Sequence, residues 1–178
     1  MRRVLLVIAF LCATQAAVAS STIPAKGTIE VAFSPNGGAT ALVVKTIAGA
    51  KKSILVQAYS FTSAQIAKAL VEARARGVDV RVILDKSQKS ERYTSATYLA
   101  NHGVPVWIDA AHAIAHNKVI VIDGDTVITG SFNFTKAAAE KNAENVLVLH
   151  GNPDLARIYD ANWREHFSHS DPYGSPRY

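Results

Sequence analysis

His116-Asn-Lys-Val-Ile-Val-Ile-Asp-Gly-Asp-Thr-Val-Ile-Thr-Gly-Ser-Phe-Asn133 is the stretch from which the rest of the chain can be read. Lys118 to Ile122 and Thr126 to Thr129 are apolar, β-branched runs, and Asp123-Gly124-Asp125 between them is turn chemistry. The pattern predicts a β-hairpin. With its turn centred on Gly124, His116 lies across from Phe132 and is flanked by Ser131 and Asn133. Asp123 lies much further along an extended strand, roughly 23 Å from His116 at ~3.3 Å per residue. The hairpin therefore gathers His116, Lys118, Ser131 and Asn133 at its open end and leaves Asp123 at its turn.

The gathered set has a chemical meaning. His116 and Lys118 are two apart on a strand and share a face. An imidazole can act as a nucleophile or as a proton donor. An ammonium, a hydroxyl and a side-chain amide are all donors, suited to the non-bridging oxygens of a phosphate. The run reads H-x-K-x4-D-x6-G-S-x-N, and letter for letter it resembles the signature of the phospholipase D superfamily. Phe33-Ser-Pro35, Ile54 to Ser60, the stretch Arg76-Gly-Val-Asp-Val-Arg-Val82 and the pair Glu144-Asn145 are further similar to the bacterial Nuc endonuclease branch. That branch is small, exported and carries a single copy of the motif.

Outside the hairpin, strands and helices alternate. A strand is expected at Thr28–Phe33, a helix at Ala39–Ala50 and a buried strand at Ser53–Ala58. A helix over Ser63–Arg76 follows, stopped by Gly77, and then a strand over Val78–Leu84. The pattern continues with a helix over Ser90–His102, closed by Gly103, and a short strand at Val104–Ile108. After the hairpin come a strand at Asn145–Leu149 and a last helix from Asn152, a good N-cap with Pro153 behind it, to about His166. The tail Ser168–Tyr178 reads as irregular. The expected fold class is α/β, a mixed β-sheet sandwiched between helices on both faces. It forms a single domain over 23–178.

The chain has 178 residues, enough for one sizeable core. Met1-Arg2-Arg3, the apolar run Val4–Cys12 and Ala17-Val18-Ala19 before Ser20 read as a secretory signal peptide over residues 1–19, with a boundary that could extend to 22. A lipoprotein reading of Cys12 is disfavoured by the bulk of Leu11 before it. Export implies a periplasmic or secreted protein. Without Arg2 and Arg3 the net charge of +5 falls to +3, and without Cys12 no thiol remains. Disulfides and cysteine-ligated zinc are thereby excluded from the mature chain. The mild positive charge favours a polyanionic partner such as nucleic acid.

A single motif implies two chains. In-line chemistry needs a nucleophile on one side of phosphorus and a proton donor on the other, and one imidazole cannot occupy both. His102, His112, His150, His166 and His169 all lack a lysine two residues on. A twofold homodimer with both His116 side chains on one phosphate solves this. The resemblance implies a phosphohistidine intermediate and no cofactor or metal. The acidic position that orients the histidine in the relatives falls on Glu144. Asp123 reads as a structural residue bracing the turn, although it is a motif letter. Ser131 either donates to the intermediate or shapes the Gly130 turn. The substrate expected is DNA, with RNA as a variant. A phospholipase D-type lipid phosphodiesterase or transphosphatidylase is the alternative, and a non-catalytic nucleic-acid-binding dimer stands behind both.

Other constellations are weaker. His112 and His116 are spaced like a helical zinc pair, but no glutamate lies between them and Lys118 would repel a cation. A Ser131/His116/Asp123 triad fails on distance. Trp107 and Trp163 read as core rather than as base-stacking platforms. Lys86, Lys89 and Arg92 form a basic cluster that is either a nucleic-acid contact or an ordinary solvated surface; Lys51-Lys52 reads as solvated.

Overall fold

The structure is a computed structural model and describes residues 20–174. The expected leader at residues 1–19 lies outside the described residues. Eight strands form one mixed sheet: β1 (Thr28–Ser34), β2 (Ser53–Ala58), β3 (Asp79–Asp85), β4 (Val106–Asp109), β5 (Lys118–Ile122), β6 (Thr126–Gly130), β7 (Glu144–His150) and β8 (Ser170–Pro172). Their order is β1-β7-β6-β5-β2-β3-β4-β8. The β2, β3 and β4 strands run parallel to one another, and the remaining pairings are antiparallel.

Helices cover both faces, as the alternation predicts. On one face Ile54, Val56, Val80, Val82, Ile120 and Val148 meet α1 (Ala39–Gly49), α2 (Ala64–Ala75), α3 (Ala96–Asn101) and α4 (Lys136–Glu140) through Val43, Ile47, Ile66, Leu70, Leu99 and Ala138. On the other face Leu55, Ile83, Val119, Val121 and Val127 pack against Ala156 and Trp163 of α5 (Pro153–Ser168). Trp163 is fully buried and its indole N–H donates to the Val56 carbonyl at 3.0 Å, so its polar handle is satisfied in the core. The single helix α5 leaves the β1 end of its face bare. There Ile29, Val31 and Phe33, alternate residues of β1, are 59%, 51% and 61% exposed.

The central hairpin has the expected register. Ile120 faces Ile128 and Ile122 faces Thr126, which centres the turn on Gly124. Ser63 caps α2 by accepting from the Ile66 N–H, and Asn152 caps α5 by accepting from Leu155.

Three elements depart from the sequence reading. The helix expected over Ser90–His102 shrinks to Ala96–Asn101, preceded by a 3₁₀ turn at Lys86–Lys89. Asp85 caps that turn at the Ser87 N–H, and the Ser95 N–H is drawn to the Phe61 carbonyl at 2.8 Å. A local cap at one end and a tertiary bond at the other bracket the segment between them, which is not α-helical. The α4 helix went unread because five residues are too short to show a period. Its signals are local: the Thr135 hydroxyl caps the Ala138 N–H, and three alanines follow Lys136. The tail is not wholly irregular either, since Ser170–Pro172 adds an edge strand to β4.

Candidate active site

Tyr59, the residue immediately after β2, sits at the carboxyl end of the parallel strands, where open α/β sheets place their ligands. Lys118 begins β5 beside it, paired with Ala58. The backbone N–H of Tyr59 donates to the Asn117 carbonyl at 2.9 Å and so clips the start of the hairpin to β2. His116 is exposed, and its ring lies 4.7 Å from the Tyr59 ring. The Lys118 ammonium lies over the same tyrosine, 5.4 Å from its centroid, and donates to the His116 carbonyl at 2.8 Å. Tyr59 is thus a wall shared by both motif residues. The sequence reading missed it, although its place directly after a parallel strand was a signal.

Lys118 is only 8% exposed. Burial pulls its pKa below the ordinary lysine value, and the nearby Glu144 carboxylate pushes partly the other way. Glu144 opens β7 and accepts from the Asn142 amide at 3.2 Å. The bond expected from Glu144 to His116 is not formed within a single chain among the described residues. There the carboxylate acts as a counter-charge to Lys118, two residues from the histidine it was expected to orient.

Beyond β6 the chain turns sharply at Gly130, which has φ +146. A Cβ there would stand 2.2 Å from the Asn145 carbonyl oxygen, so the close approach of β6 and β7 needs glycine. The Ser131 oxygen accepts from the Asn145 backbone N–H at 3.1 Å and from its side-chain amide at 3.3 Å. The serine therefore shapes this turn, and its own hydroxyl proton still points to no protein acceptor among the described residues. The Asn133 side-chain oxygen is buried without a partner. An orphaned amide of this kind suits a site that completes its hydrogen bonds with a ligand.

Asp123 does something else. Its carboxylate accepts from the backbone N–H groups of Lys51, Lys52 and Ser53 at 2.8, 2.7 and 3.0 Å. Burial raises its pKa, but these three N–H groups outweigh that and hold it below the ordinary carboxylate value. The segment that Asp123 braces is the loop from α1 to β2 and the start of β2, as well as its own turn.

The rival constellations do not assemble. His112 stacks on His166, with centroids 4.7 Å apart, and faces Asp109 rather than His116. Lys86 of the basic cluster donates to the His112 carbonyl, while Lys89 and Arg92 remain exposed. Trp107 is partly buried against Phe167, 4.8 Å away, in the core beneath α5.

Known proteins are similar to this chain in sequence and fold. A family model described as the PLD-like domain of cardiolipin synthase matches residues 43–167. A phospholipase D from Rickettsia conorii is 44% identical over 76% of this chain and 67% of its own length. A mitochondrial cardiolipin hydrolase from Xenopus laevis is 32% identical over 70% of the chain and 59% of its own length. Among solved structures, Nuc from Salmonella typhimurium, a phospholipase D family member, superposes with a TM-score of 0.81 at 43% identity. It covers 83% of this chain and 99% of its own.

Proposed function

The chain belongs to the PLD-like domain family and is a phosphodiesterase of the phospholipase D superfamily, and from that premise we propose that it is a metal-independent endonuclease working as a homodimer. The observation that carries this reading is a half-site. One exposed imidazole and one buried ammonium share the Tyr59 ring, and the same motif carries a buried Asn133 amide oxygen with no partner among the described residues. Each chain holds a single copy of the motif. A second copy related by a twofold axis supplies the missing half.

In the proposed mechanism, neutral His116 of one subunit attacks phosphorus. A P–N bond forms as the bond from phosphorus to the leaving oxygen breaks. Protonated His116 of the partner subunit gives its proton to the departing alkoxide. The same imidazole then takes a proton from water, whose oxygen attacks phosphorus and releases the first histidine. Two Lys118 ammonium groups and the N–H groups of two Asn133 side-chain amides donate to the equatorial oxygens, the work a metal ion does in other phosphoryl-transfer sites. The Glu144 carboxylate offsets part of the burial that pulls the Lys118 pKa down.

Two features support a second copy. Ile114, two residues before His116, is a 56% exposed aliphatic side chain, and the bare β1 row of Ile29, Val31 and Phe33 is a further apolar surface. Nucleic acid is preferred as substrate because of the basic mature chain and the Nuc-like pattern over most of it. Lipid is the second reading, favoured by relatives named phospholipase D and cardiolipin hydrolase. An exported location, set by the expected leader, belongs to the same proposal.

Supercoiled plasmid and phospholipid vesicles, each in EDTA, separate the readings. Plasmid nicking with weak sequence preference and strong salt inhibition is expected, whereas lipid turnover alone would reverse the assignment. Subunit exchange tests the shared site. A tenfold excess of His116→Asn protein should silence wild-type chains, because each mixed dimer lacks one imidazole. Undiminished wild-type activity, or an active monomer in sedimentation, overturns the dimer.

A further inference from the structure

We propose that Asp109, His112, His166 and His169 bind a divalent transition-metal ion, with zinc as the best match, at a site separate from the phosphodiester chemistry. One ligand atom from each of the four lies within 4.8 Å of all the others. The geometry around a single carboxylate oxygen is the starting point. Asp109 Oδ2 lies 2.6 Å from His166 Nδ1, 3.1 Å from His112 Nδ1 and 3.4 Å from His169 Nε2. One carboxylate oxygen has two lone pairs and cannot accept three well-formed hydrogen bonds. Ligands about 2.0–2.2 Å from a tetrahedral zinc are themselves about 3.3 Å apart, close to the spacings here. An ion in place of the ring protons would satisfy all four groups at once.

The surroundings fit as well. Asp109 is completely buried, and its other oxygen accepts from the Ala111 N–H at 2.9 Å, which fixes the carboxylate plane. The nitrogens of His166 and His169 that face away from Asp109 lie 3.7 and 3.6 Å from the two oxygens of Glu165. A carboxylate behind a ligating imidazole is a recurrent outer-sphere arrangement that orients the ring and raises its basicity. Three nitrogens and one oxygen suit a borderline ion such as Zn²⁺ better than Mg²⁺ or Ca²⁺, which favour all-oxygen sites.

The position explains what such an ion would do. Asp109 ends β4 and His112 lies in the segment leading to His116. His166 is in the last turn of α5, and His169 directly precedes β8. The ion would staple a three-residue edge strand and the end of the longest helix to the loop that presents the catalytic imidazole. That loop is also anchored by Asp85, which accepts from the Ala115 N–H at 2.7 Å. The sequence carried the signal as Asp109-x2-His112 and His166-x2-His169, two short pairs that the fold alone brings together.

The test uses tag-free full-length protein, stripped with chelator and titrated with Zn²⁺ against a chromogenic indicator, with metal content and thermal melting read in parallel. One zinc per chain and a raised Tm are expected. The half-exposed ligands are the useful variants, because they can be removed without opening the core. His112→Ala and His169→Ala should each weaken zinc binding beyond the 10- to 100-fold typical of an outer-sphere loss, and His102→Ala should bind as wild type. Chelation should lower Tm while plasmid cleavage persists below the lowered transition. Substoichiometric zinc, an unmoved Tm, or His112→Ala and His169→Ala proteins that bind as wild type would each overturn the site.

Discussion

The two ends of the β5–β6 hairpin belong to one sequence signature, yet they are built to opposite purposes. At the open end His116 is exposed, Lys118 is a buried charge and Asn133 carries an unpartnered amide oxygen. The last two are costs to the isolated chain. At the turn, Asp123 accepts three backbone N–H groups from a neighbouring segment. One end holds groups poised for a ligand, and the other is already committed to the protein's own backbone. The contrast teaches that a motif letter is a statement about place in a fold, and that its chemistry must be read from what the side chain touches.

Substitution separates the two ends, and the open end should give the largest effects. His116→Asn removes a nucleophile and a proton donor at once, so kcat should fall by about 10⁴-fold or more. Its exposure means that Tm should not move by more than a degree or two. Lys118→Met should cost about 10²- to 10³-fold in kcat, the scale for one charge-stabilising donor. It also removes a buried charge, so Tm should hold steady or rise. A large loss of Tm in either variant would erase the contrast, because the open end would then be structural too.

Asp123→Ala should behave in the reverse way. It strands three N–H groups and places alanine at φ +54, a conformation it tolerates poorly. A loss of about 2–3 kcal/mol in unfolding free energy is expected, with kcat within about threefold of wild type at temperatures where the protein stays folded. Chemical denaturation beside steady-state cleavage measures both. A hundredfold fall in kcat with unchanged stability would place Asp123 in the chemistry after all.

The sequence made the hairpin legible because its information is local: a turn of Asp and Gly between two β-branched runs sets the register, and the register sets who meets whom. The same holds for the cap at Asn152. What stayed illegible was set from a distance. The start of α3 depends on a bond from Ser95 to the Phe61 carbonyl, across the end of the sheet. Tyr59 becomes a wall of the site only once β5 lies alongside β2. The four residues around Asp109 come from β4, a loop, a helix end and the residue before an edge strand. Within one chain Glu144 accepts from Asn142 and lies near the Lys118 charge, since strand pairing says which residues are close and not which partner a flexible carboxylate takes.

The smallest effect tests the electrostatics of the turn alone. Asp123→Asn keeps the side-chain shape and tolerates the positive φ, but it turns a charged acceptor into a neutral one and points an amide donor toward an N–H group. A loss of about 1–2 kcal/mol is expected at neutral pH. The three N–H groups hold the Asp123 pKa below its ordinary 3.8. A carboxylate with a depressed folded-state pKa stabilises fully above its unfolded value and loses that contribution as pH falls through the folded one. The Tm difference between wild type and Asp123→Asn should therefore be flat down to about pH 4 and narrow below it as the wild-type carboxylate takes up its proton. If the Asp123→Asn gap stays constant into strong acid, the charge is not what ties the turn to the α1–β2 loop, and side-chain shape alone distinguishes that end of the hairpin.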